Sequence, residues 1–68
     1  MNLIEIGEEI RKRRNVLKIT QLHLAEMAEI SESTILRIEK GQANPTLEVL
    51  MKIADIIGLE IKLEVKNK

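Results

Sequence analysis

Sixty-eight residues make a single small domain, near the size at which one apolar core barely suffices, and with no Cys there are no disulfides and no thiolate metal sites. Phe, Tyr and Trp are absent too, so the core must be built from Leu, Ile, Val, Met and Ala, and a homodimer is the simplest added source of stability. Eleven basic and eleven acidic side chains cancel, which lacks the basic footprint usual for nucleic-acid binders; only the face that meets phosphate, however, has to be positive.

The amino-terminal MNLIEIGEEIRK carries charges where a signal peptide needs an apolar run. No stretch approaches the roughly 20 apolar residues of a membrane span. The expectation is a soluble cytoplasmic protein with no membrane partner. A first helix is expected from Ile4 to Leu17, with Ile6, Ile10 and Leu17 on one stripe and Arg14 four residues after Ile10 on the same side. Arg11-Lys12-Arg13-Arg14 looks like a basic patch, but on a helix the four point in four directions. They read as a solvated face with cations near a helix C-terminus, and at most Arg11, Lys12 and Arg13 touch phosphate.

Thr20 to Gly41 organises the chain. Leu24, Ala25 and Ala28 form one helical face, and Ile35 and Ile38 another, with Ile30 in a short break between them. Two short helices joined by a tight turn describe a helix-turn-helix over residues 20–41. Ala25 is small where the two helices must cross. Thr20 and Ser31 are suited to cap the two helices, and Gly41 permits the left-handed residue that closes the second. Glu32, Ser33, Thr34 and Arg37 then point away from the core, as on a recognition helix facing a major groove.

Asn44-Pro45-Thr46 opens a fourth helix, with Pro near its first turn. Leu47, Leu50, Ile53, Ala54 and Ile57 give it an inner stripe, and Gly58 stops it. Residues 59–66, LEIKLEVK, alternate apolar and charged, the pattern of a half-buried strand. A strand needs a partner ladder, and the only other candidate within the chain is Asn2 to Ile6. The same strand of a second subunit fits better. An antiparallel two-fold centred on Leu63 sets Glu60 opposite Lys66 and Lys62 opposite Glu64, whereas centring on Lys62 or Glu64 sets like charges together. Leu59, Ile61, Leu63 and Val65 would share one apolar face over the fourth helix and clamp a dimer.

These residues together resemble the Cro/repressor class of helix-turn-helix proteins, the XRE family. The pattern is Gln21, Leu24-Ala25, Ile30, Ile35, Ile38-Glu39, Gly41 and Pro45-Thr46-Leu47, and it covers residues from about 6 to 58. The strand after the fourth helix is similar to HipB-like antitoxins, which dimerise through such strands and bind a toxin. The resemblance implies a mainly α, compact four-helix, lambda-repressor-like domain over residues 1–68, with the C-terminal strand pairing across a homodimer. Two positions depart from the family. Glu29 stands in the turn where Gly is usual, and His23 stands where a Glu would complete a capping box.

The resemblance also implies roles. Gln21 would meet the phosphate backbone at a helix N-terminus. Glu32, Ser33 and Arg37 would reach base edges with Thr34 beside them, Arg37 as a bidentate donor to guanine and Glu32 as an acceptor from cytosine. Ser31 would serve first as a cap, and Lys40 and Asn44 would contact phosphate. Arg14 and Glu39, charges on inward stripes, would form a salt bridge between the first helix and the recognition helix. His23 reads as a surface histidine, and Met27 and Met51 as core gap-fillers. Leu36, Val49 and Ile56 fall off the main stripes and would line a dimer or toxin contact.

The expected function is sequence-specific binding of double-stranded DNA by a homodimeric repressor, on a two-fold symmetric operator. The alternative is an antitoxin that neutralises a toxin protein and regulates its own operon. No nucleophile–base pair, metal cluster or phosphate-cradling Gly loop is present in the sequence, so neither an enzyme, a cofactor nor a metal is expected.

Overall fold

A computed structural model describes residues 1–67 as four helices: α1 (Leu3–Val16), α2 (Gln21–Ala28), α3 (Glu32–Glu39) and α4 (Leu47–Ile57). Each begins at a polar side chain that accepts a free backbone N–H of the first turn. Asn2 accepts from Glu5 at 2.9 Å, Thr20 from His23 at 3.0 Å, Ser31 from Thr34 at 3.1 Å and Thr46 from Val49 at 3.2 Å. Thr20 and Ser31 are the caps expected from the sequence. Because Thr46 caps α4, Pro45 precedes that helix instead of lying in its first turn.

Among the described residues, four close turns in the left-handed region: Lys18 (φ 57°), Glu29 (φ 58°), Gly41 (φ 72°) and Gly58 (φ 73°). Glu29 does so without the glycine usual at such a position, as the departure in the turn implied. The backbone compensates in part, since both Glu29 and Ile30 donate to the Ala25 carbonyl at the end of α2. Lys18 carried no signal in the sequence.

In the core, α2 packs on α3 and α4, while α1 packs on the same two helices. Ile10, Leu24, Ala25, Ala28, Ile35, Ile38, Ile53 and Ile57 are buried together. At Gly7, α1 crosses the end of α3 so closely that a Cβ would stand 2.3 Å from the Ile38 carbonyl oxygen. This glycine lies three residues before Ile10 on the inward stripe, the one sign of the close crossing that the sequence offers.

Several expectations require correction. Met27 and Met51 are exposed instead of filling the core, because the inner faces of α2 and α4 are already occupied by Leu24, Ala25 and Ala28 and by Ile53, Ala54 and Ile57. Val49 and Ile56 are half-buried against the core, whereas Leu36 is exposed. Leu17 lies just past α1 and is exposed.

No strand forms among the described residues. Asn2 to Ile6, the other possible edge, is the cap and first turn of α1, so 59–66 has no ladder partner among the described residues of its own chain. Leu59 is half-buried on the core and its N–H is held by the Ala54 carbonyl at 2.8 Å. Beyond it the apolar alternates face solvent: Ile61 is 45% exposed, Leu63 100% and Val65 96%.

Candidate nucleic-acid interface

Ile35, Ile38 and Glu39 turn inward on α3. At 100° per residue, the opposite side then carries Ser33, Leu36, Arg37 and Lys40, with Glu32 at its edge. All five are exposed, and Thr34 lies half-buried at the boundary. This is the free face of the second helix of the pair.

The hydroxyls at its amino end are tied to one another. Ser31 Oγ accepts the Thr34 N–H at 3.1 Å and lies 3.1 Å from Ser33 Oγ and 2.7 Å from Thr34 Oγ1. Capping therefore absorbs much of the bonding capacity of Ser31. Arg37, by contrast, makes only a 3.4 Å contact to the Gln42 carbonyl. Lys40 and Asn44 are exposed, on the cap of α3 and in the loop that follows.

Beneath this face lies a polar knot. Arg14 Nε donates to Glu39 Oε2 at 2.7 Å and Nη2 to Oε1 at 3.0 Å, the two-pronged geometry that suits guanidinium and carboxylate. Arg14 Nη1 donates to the Ile19 carbonyl at 2.8 Å, which ties the α1–α2 loop into the same knot. Gln21 Nε2 donates to Glu39 Oε1 at 3.1 Å. Glu39 is only 5% exposed, and no buried side-chain polar atom lacks a partner among the described residues. Donating hydrogen bonds to the Glu39 carboxylate raises the Arg14 pKa above its ordinary value, with charge attraction adding and burial opposing. Gln21, expected only at phosphate, is thus also anchored to the recognition helix.

The basic run of α1 separates in space. Arg13 Nε donates to the Ile57 carbonyl at 2.7 Å, capping the last turn of α4, so this half-buried side chain is tied to the protein through one of its donors. Arg11 and Lys12 stay exposed. Lys52 likewise reaches from α4 to the Ala28 carbonyl at 3.2 Å, closing α2, a cap that the sequence did not reveal. His23 is exposed, and no group of three or more His, Cys, Asp or Glu side chains is placed to hold a metal among the described residues. No described helix is long and apolar enough to cross a membrane.

A short helix, a tight left-handed turn and a second helix with a free polar face define a helix-turn-helix DNA-binding unit. A helix-turn-helix family model matches residues 10–63. The chain belongs to the XRE-type helix-turn-helix family of DNA-binding transcription regulators, which is not an enzyme class. It is 36% identical over 56 residues to the immunity repressor protein of Bacillus phage phi105, and spans 39% of that protein's length. HTH-type transcriptional regulatory proteins of Methanococcus maripaludis are 36% identical over 55 residues, and the chain spans 17% of their length. An HTH-type transcriptional regulator of Haemophilus influenzae is 38% identical over 67 residues, 94% of this chain and 68% of that protein. In structure the chain is similar to the restriction-modification controller protein C.AhdI from Aeromonas hydrophila, with a TM-score of 0.81, 28% identity, and 85% and 88% of the two chains covered.

Proposed function

We propose that this chain reads a specific double-stranded DNA sequence as a homodimeric transcriptional repressor in the cytoplasm, with α3 in the major groove. The observation that carries the reading is the exposed face of α3, on which Arg37 stands with little internal bonding above the buried Arg14–Glu39 pair. Arg37 would donate to guanine O6 and N7, and Glu32 would accept from cytosine N4. Ser33 and Thr34 would add shorter contacts, while Ser31 holds the helix start. Gln21, Lys40 and Asn44 would fix the register on phosphate without reading sequence.

The second copy is the occupant that best suits the tail. Ile61, Leu63 and Val65 face solvent in the single chain, and the register centred on Leu63 pairs every facing charge with its opposite. Two recognition helices related by that axis would read half-sites about one helical turn apart. The same exposed apolar residues favour a second reading, an antitoxin whose tail docks a toxin protein.

Selection of bound sequences from a pool of randomised duplexes at moderate salt tests the first reading. We expect enrichment of a two-fold symmetric site. A pool left unenriched, together with a monomeric chain in sedimentation, would overturn it and favour the antitoxin.

A further inference from the structure

Leu36 is the one large apolar side chain on the outward face of α3, 38% exposed, and it lies one turn from Glu32, Ser33 and Lys40. It does not serve the core, which Ile35 and Ile38 fill from the same helix. Of its neighbours, the short one, Ser33, spends part of its polar capacity inside the protein, since its hydroxyl lies 3.1 Å from that of Ser31, which in turn bonds Thr34. A helix that docked through this face would leave Glu32 and Arg37 as its long polar readers and would press the Leu36 isobutyl group onto the groove floor. In the major groove, the apolar feature that distinguishes one base from the others is the C5-methyl group of thymine.

We propose that Leu36 is a specificity-determining residue, whose side chain packs on a thymine methyl in each half-site. The inference rests on the major-groove reading of α3 and assigns it one further base. It also explains why a leucine stands on a face otherwise made of charged and hydroxyl side chains. Burying one methyl against an alkyl group is worth about a fourfold change in affinity per half-site, and about fifteenfold when both half-sites change.

The test uses the full chain and the operator enriched from the random pool, with each thymine replaced in turn by deoxyuridine, which removes only the methyl group. For the wild type we expect one position per half-site at which uracil costs about fourfold in Kd, as one lost methyl contact requires. Leu36→Ala should bind the thymine and uracil duplexes equally at that position, while Leu36→Met, which keeps an alkyl side chain, restores part of the difference. Both variants should retain the preference at the base pair read by Arg37. If the wild type binds its operator but no uracil penalty disappears in Leu36→Ala, the inference is overturned and the DNA reading stands; Leu36 would then belong to a protein contact. If no operator is enriched, both are overturned.

Discussion

At the scale of single residues, two positions hold α1 to the recognition helix by opposite means. Arg14 contributes a charge paired in a nearly dry site, and removing it strands Glu39, which is 5% exposed. We expect Arg14→Ala to cost roughly 3–5 kcal/mol, a large part of the stability of a domain of this size, as read by chemical denaturation. DNA affinity would fall with the folded fraction, with no base preference lost. Unchanged stability would refute the role. Because the Arg14 pKa is raised, the stabilisation from this group is fully present below its unfolded value and is lost only as pH rises through the raised value, in strong alkali. Arg14 therefore gives no change in stability across neutral pH. Gly7 contributes the absence of a side chain. Ala in place of Gly would favour the helix by roughly 0.5–1 kcal/mol in an open position. Here its Cβ would meet backbone oxygens at 2.3 and 2.7 Å, which cannot swing aside. The clash wins, and we expect Gly7→Ala to lower the melting temperature. The periodic stripes marked Arg14 and Glu39 as inward charges that demand partners, and the family resemblance implied that they pair with each other. Gln21 bonding to the same carboxylate was not legible, since nothing in one sequence reveals which of two acceptors an amide will choose.

At the scale of elements, the turn of the helix-turn-helix departs from the easiest solution. Glu29 sits at φ 58°, a conformation that costs an L-residue about 1–2 kcal/mol and glycine almost nothing. Part of that gain returns as backbone entropy in the unfolded chain, so Glu29→Gly should stabilise by about 1 kcal/mol, visible as a rise of roughly 4–8 °C in Tm. A fall in Tm would mean that the Glu29 side chain contributes more than the strain costs. The helices themselves were legible: the stripes of α2, α3 and α4 and the caps Thr20 and Ser31 follow from spacing and hydroxyl chemistry. Met27 and Met51 were misjudged because composition says only that a methionine can fill a gap. Whether a gap exists depends on how α2 and α4 meet their neighbours. Met51 instead lines a surface groove with Leu47, Ala54, Leu59, Ile61 and Leu63, where the tail leaves α4. Arg13 and Lys52 were missed for a related reason, since a cation that closes another helix is placed by tertiary contact and leaves no local pattern.

At the scale of the whole molecule, a short chain without aromatic residues leaves Leu63 and Val65 almost wholly exposed, and the alternation of 59–66 was legible while its partner was not. One sequence shows that a strand lacks an edge but not where the edge comes from. If it is the same segment of a second copy, in the register centred on Leu63, then Lys62→Glu sets two like-charged pairs face to face across the axis. We expect that variant to weaken dimerisation in sedimentation equilibrium, and Lys62→Glu combined with Glu64→Lys to restore it. Restoration failing in the double variant would exclude the register. Zero net charge also bears on this scale. Off-site binding should be weak, so on the proposed reading a large share of affinity would come from base contacts and from two half-sites acting together.

Base reading by α3 is tested by comparing wild type and Arg37→Ala on the selected operator and on duplexes with each base pair changed singly. The wild type should lose on the order of 10- to 100-fold in affinity when one G·C pair of a half-site is replaced. Arg37→Ala should become indifferent at that pair and keep its preferences elsewhere. If Arg37→Ala instead weakens every duplex by the same factor, or none, Arg37 reads no base and α3 does not specify the operator.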